Sequence, residues 1–167
     1  MPRVVAIAAA MAALLAGCGE EETDSGDAAG ESADVAAIEA ADLLEDTREV
    51  VRKLSERAED PSDTEELEEL RDEARGLARQ AREGLPEDDP ARQPLITANE
   101  QAAQASFALR QYASDGRENA LERARTNLDE VRGTLARVVD GLRGRLPADV
   151  VQRLESALPD IPDVPSP

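Results

Sequence analysis

Residues 117–146 read RENALERARTNLDEVRGTLARVVDGLRGRL, and this stretch decides the fold. Apolar side chains stand at Leu121, Ala124, Leu128, Val131, Leu135, Val138 and Leu142. The steps alternate between three and four residues. That keeps the apolar groups on one helical stripe and sends Glu, Asp and Arg to the other side. Leucine takes each a position of the heptad and Ala or Val each d position. In parallel assemblies this arrangement leans toward four-stranded packing. A helix from about Arg117 to Leu146 is expected.

The same spacing recurs upstream. Ala37, Ala40, Leu44, Thr47, Val51, Leu54 and Ala58 define a first helix from about Asp34 to Glu59. Leu67, Leu70, Ala74, Leu77 and Ala81 define a second, with Ser62 and Glu65 offering a capping box at its start. Gly84-Leu85-Pro86 is expected to stop it, with glycine in the left-handed position and proline just beyond. A third helix opens between Pro90 and Pro94 and runs to about Ser114, where Asp115-Gly116 ends it. Its seam is Leu95, Ala98, Ala102, Ala105, Leu109 and Tyr112, and Ile96, Ala103 and Phe107 form a second apolar row. Short loops make sequential helices antiparallel neighbours. The expected fold is therefore all-α, an up-down-up-down four-helix bundle with a short fifth helix and an extended Pro-rich tail. Alanine recurs so often in the seams that the core should be slender. A dimeric coiled coil therefore stands as the competing architecture, with a monomer expected.

Beyond Pro147, Val150, Val151, Leu154 and Ala157 mark the fifth segment. It is expected to cover an apolar row left off the seams, either Val35 and Ile38 or Ile96 and Phe107; an uncovered row would mark a partner surface. The last residues, Pro159-Asp160-Ile161-Pro162-Asp163-Val164-Pro165-Ser166-Pro167, repeat an aliphatic residue before proline every third position. Three is the period of polyproline II.

At the other end, Arg3 precedes an uncharged run from Val4 to Leu15. This has the order of a secretory signal, and the run is too short to cross a bilayer as a helix. Leu15-Ala16-Gly17-Cys18 follows and contains the single cysteine of the chain. The segment resembles the lipobox of bacterial lipoproteins. The resemblance implies a diacylglycerol thioether on Cys18, cleavage after Gly17 and an N-acyl chain such as palmitate. Two or more acyl chains hold a membrane stably. The expected organisation is a signal peptide at 1–17, a lipidated disordered acidic tether at 18–33, a helical bundle domain at 34–158 and a Pro-rich tail at 159–167.

Composition removes many activities. The chain has 167 residues, a formal net charge of -18, no His, no Trp and one Cys. Without histidine there is no imidazole base, no Ser-His-Asp triad and no His-ligated metal or haem. One cysteine excludes an intrachain disulfide or a CxxC pair. The acidity opposes nucleic-acid binding, which needs clustered Lys and Arg. Glu83, Glu87, Asp88 and Asp89 gather in the second loop, but lack the spacing of a calcium loop and are expected to be a solvated acidic turn. No catalytic residue, cofactor site or metal site is expected, and Cys18 is the one site residue, for lipid attachment. The expected function is a non-catalytic, membrane-anchored cell-envelope lipoprotein acting as spacer, scaffold or partner-binding module. Its partners would be the membrane, through the acyl chains, and an envelope protein. The alternative is a lipoprotein that binds a lipid or other apolar ligand between its helices.

Overall fold

The computed structural model describes residues 27–158, with side chains from Val35 onward. The signal peptide, Cys18 and the tail 159–167 lie outside the described residues. Within them stand α1 (Asp27–Arg57), α2 (Thr64–Gly84), α3 (Arg92–Asp115), α4 (Glu118–Leu142) and α5 (Ala148–Ala157). The architecture is an all-α bundle of four long helices with a short fifth.

Contacts between named residues give the directions. Glu39 of α1 lies against Gly84 at the end of α2, and Arg57 pairs with Glu66 near its start. Arg82 of α2 meets Glu100 of α3 at 3.0 Å, while Glu68 meets Arg110 at 3.1 Å. Gln101 of α3 donates to Glu130 of α4 at 2.8 Å, and Arg123 of α4 donates to Gln111 at 2.8 Å. Each consecutive pair is thus antiparallel, which gives the up-down-up-down order. α3 packs along both α2 and α4, and α1 touches all three. Ala98, Ala102 and Ala105 of α3 are fully buried. Their small side chains let the flanking helices come close, although each buries little area at about 25 cal/mol per Å2.

The 3-4 stripes are the core. Every seam residue is buried except Tyr112 and Leu121, which are half-buried. Ile96 and Ala103 of the second row are also buried. α5 packs on α4 through Val151 and Leu154, and leaves Val35, Ile38 and Phe107 exposed.

The helix ends differ from the sequence reading in four places. α1 begins at Asp27 rather than about Asp34, so residues 27–33 are helical and not part of a disordered tether. Once the packed part of α1 exists, adding turns requires no new nucleation. Ala28, Ala29 and Ala33 are strong helix formers, and acids suit the positive end of a helix dipole. The cap of α2 is Asp63, whose carboxylate accepts from the Glu66 amide at 3.0 Å; Ser62 lies one residue outside. Gly84 is not left-handed. α2 ends because Pro86 pushes Leu85 to an extended conformation, φ -86 and ψ 141. α4 stops at Leu142 rather than Leu146, with Gly144 at φ 78. Gly141 and Gly144 weaken its final turn, and Pro147 excludes Leu146 from a helix. The end of α3 follows the expected pattern. Gly116 adopts φ 66, and its N–H donates to the Tyr112 carbonyl at 2.8 Å.

Ion pairs three and four residues apart line the exposed faces. Arg52 donates to both oxygens of Glu49, at 2.9 and 2.6 Å, and reaches Glu56 as well. The Arg52 guanidinium holds the Glu49 carboxyl below its usual range, against a weaker upward push from burial. Such exposed pairs contribute little each. Against them stands the self-repulsion of a chain with net charge -18, which folding concentrates on a narrow bundle. Added salt screens that repulsion, with a Debye length of about 8 Å at physiological ionic strength. The melting temperature is therefore expected to rise from low to moderate salt. A fall over the same range would mean that the attractive pairs dominate.

Candidate binding surface

Polar groups inside the bundle join helices. The Thr47 hydroxyl donates to the Leu43 carbonyl of its own helix at 2.6 Å, as its place in the seam suggests. It also accepts from Asn99 of α3 at 2.8 Å, and Asn99 donates to the Leu95 carbonyl at 3.0 Å. Both side chains are fully buried. A shift of α1 along α3 would strand these groups without partners, so the pair sets the register of the two helices. Ser106 of α3 does the same toward α2, donating to the Leu67 carbonyl. These bonds serve assembly of the bundle.

The acidic loop behaves differently from the expectation of a wholly solvated turn. Glu83, Glu87 and Asp88 are exposed, but Asp89 turns inward, and its side chain is only 2% exposed. Arg145, between α4 and α5, donates to both of its oxygens, at 3.2 and 2.7 Å. The Ala91 amide supplies another bond at 2.8 Å. Gly141 of α4 lies beside Pro90 and Ala91, where an added methyl would make ordinary contact. The guanidinium thus occupies the place a cation would take. No cluster of acids with metal-binding geometry occurs among the described residues.

One exposed apolar feature of the described residues lies around Phe107. Phe107 is 49% exposed and lines two grooves. The groove between α3 and α4, about 470 Å3, is walled by Gln104, Asn119, Arg123 and Asn127. The groove between α2 and α3, about 560 Å3, has Ala78, Ala103 and Phe107 as its apolar part and Arg75, Arg79 and Arg82 along one wall. The arginines are spaced i, i+4 and i+7, which places them on one face of α2. Residues 74–82 of α2 contain no acid, in a chain with 37 acidic residues. Arg82 is paired with Glu100 at 3.0 Å, and Arg75 lies 3.9 Å from Asp72. The Arg79 guanidinium has no ion pair or hydrogen bond among the described residues. This wall is a local excess of positive charge beside an aromatic ring, and the chemistry it suits is a carboxylate carried next to an aliphatic group.

The sequence reading singled out Phe107 as lying off the seam, but did not join it to the arginines. The available signal was the acid-free interval in α2. Compared with known proteins, the chain matches no family model, no curated protein and no solved structure. Among the described residues, no helix is long and apolar enough to cross a membrane.

Proposed function

We propose that the protein is a non-catalytic cell-envelope lipoprotein, anchored by acyl chains on Cys18, whose helical bundle acts as a spacer, scaffold or partner-binding module. The observation that carries this reading is the placement of the only cysteine at the lipobox position of Leu15-Ala16-Gly17-Cys18, behind a short uncharged run. In a diderm cell the protein would sit in the outer membrane facing the periplasm. In a monoderm it would sit on the outer face of the cell membrane. The bundle is expected to be monomeric.

The extension of α1 to Asp27 changes the geometry of the tether. The added helical turns at 27–33 would contribute about 10 Å of rigid length. The domain would be held away from the headgroups, as suits a chain whose net charge of -18 is repelled by anionic lipid. The second reading, an apolar ligand between the helices, is less well supported. The alanine seams of α1 and α3 are buried against their neighbours, and the grooves beside Phe107 open to the surface.

Cys18→Ser tests the anchor. The substituted protein should incorporate no radioactive palmitate and should keep its signal peptide. Label retained by the serine form would overturn the reading.

A further inference from the structure

We propose that the groove between α2 and α3 takes the outer face of α1 from a second copy of the chain, with Ile38 on Phe107 and Asp42 on Arg79. Among the described residues, the large apolar side chains left exposed are Val35, Ile38 and Phe107. Two stand on α1 and the third in the groove, and one contact between copies would cover all three. Val35, Ile38 and Asp42 lie at i, i+3 and i+7, on one stripe of α1, and all are exposed. The stripe sets a carboxylate next to aliphatic groups, which is the chemistry the arginine wall suits.

Charge is segregated as this contact needs. No Lys or Arg occurs between Arg3 and Arg48, so α1 from Asp27 to Thr47 carries no positive side chain. Residues 74–82 of α2 carry no acid. Asp42, Glu45 and Asp46 are exposed and have no ion pair among the described residues, and neither has Arg79. Glu100, on the α3 wall, lies toward the other end of the groove and is taken by Arg82 at 3.0 Å. Gln104 is neutral, so Arg79 keeps the Phe107 half of the groove positive.

The spacing agrees. The pairs Arg82–Glu100 and Glu68–Arg110 set α2 and α3 antiparallel, which brings Phe107 near the level of Arg75. From there Arg79 is one turn along, about 6 Å at 1.5 Å per residue. Ile38 and Asp42 are separated by the same turn of α1, again about 6 Å. An α1 laid parallel to α2 thus meets the ring and the guanidinium in one register. The contact cannot close within one chain, since the inner face of α1 is packed in the core and no α1 residue lines the groove. The two surfaces differ, so the contact is head-to-tail, and each added copy presents a fresh groove. The net charge of -18 opposes it at a distance, so it forms where copies are crowded, and a lone bundle in dilute solution stays monomeric. The contact does not depend on lipid at Cys18.

The test uses the full-length protein in detergent micelles and two single variants, Arg79→Glu and Asp42→Arg. Both positions are exposed, so neither change enters the core. Amide signals of residues 35–46, 75–79 and 103–107 should shift together as the parent protein is concentrated. Each variant alone should need about tenfold more protein for the same shift, the scale expected for turning an attractive exposed pair into a repulsive one. Mixed, the two should recover one contact, in which the groove of the Asp42→Arg chain receives α1 of the Arg79→Glu chain. With one variant isotope-labelled at a time, groove signals should move only in Asp42→Arg and α1 signals only in Arg79→Glu. Parent signals unmoved by concentration would overturn the proposal, as would mixing that restores nothing. Groove shifts without α1 shifts would assign the groove to a different surface and overturn it as well.

Discussion

Leu128→Asp is expected to abolish cooperative folding of the bundle. Leu128 is 1% exposed in the middle of α4, where that helix faces α3 and α1. A carboxylate there has no cation and no water. The chain must either neutralise it or open to solvate it, and both routes cost several kcal/mol. The whole stability of a domain of this size is about 5–15 kcal/mol, and an alanine-rich core belongs toward the low end. Leu128→Ala separates the charge from the lost volume. It removes buried methyl groups alone and should cost about 2–5 kcal/mol with a cooperative melt retained. Asp129→Ala, one position along and exposed, should stay within about 0.5 kcal/mol of the parent. Thermal melts by circular dichroism read all three. A cooperative transition at the parental temperature in the Leu128→Asp protein would remove Leu128 from the core.

That contrast between neighbouring positions explains why the fold was legible. Burial in this molecule follows helical period closely, because each long helix presents one stripe to its neighbours. Leu121 and Tyr112 depart from the rule because they stand near the turn joining α3 to α4, where the bundle opens to solvent. The ends of helices were less legible for a different reason. Ser62 and Asp63 each have a glutamate three residues on, and both fit a capping box, so the choice falls to geometry that the sequence does not state. The early start of α1 turns on helix propagation from a packed turn, which local composition weakly reflects.

The polar groups were the least legible part. Asn99 lies beside seam residue Ala98, and the apolar count passes over it. Its burial follows from Thr47 standing opposite on α1, a relation between residues 52 positions apart. Asp89 was hidden in another way. It sits among Glu83, Glu87 and Asp88, and nothing in a run of acids says which one turns inward. The deciding partner is Arg145, which the chain brings back only after two further helices. The arginine wall was legible in principle, since three arginines at helical spacing in an acid-free interval are visible in the sequence. What the sequence could not supply was the neighbour, α3, that puts Phe107 across the groove from them.

Breaking the Asp89–Arg145 pair should also destabilise the bundle strongly. The carboxylate is buried and fully engaged, by Arg145 at 2.7 and 3.2 Å and by the Ala91 amide at 2.8 Å. Arg145 is partly exposed, so the two partners are unequal. Arg145→Ala strands a buried charge and should cost about 3 kcal/mol, the lower end of the range for breaking a buried pair. That corresponds to a fall in melting temperature of about 10 °C. Asp89→Ala removes the charge but also the bond to the Ala91 amide at the start of α3, and should cost about 2 kcal/mol. The double variant decides between the explanations. If the stranded carboxylate is the penalty, removing it as well should recover part of the loss, and the double variant should be no less stable than Arg145→Ala. Fully additive losses would mean that the two residues act separately, with Asp89 solvated when its partner is gone. The clamp also joins the two loops at one end of the bundle. Its loss should therefore raise amide exchange in the 86–91 loop and in residues 143–147 together, while the opposite end, around Gly116, keeps its protection.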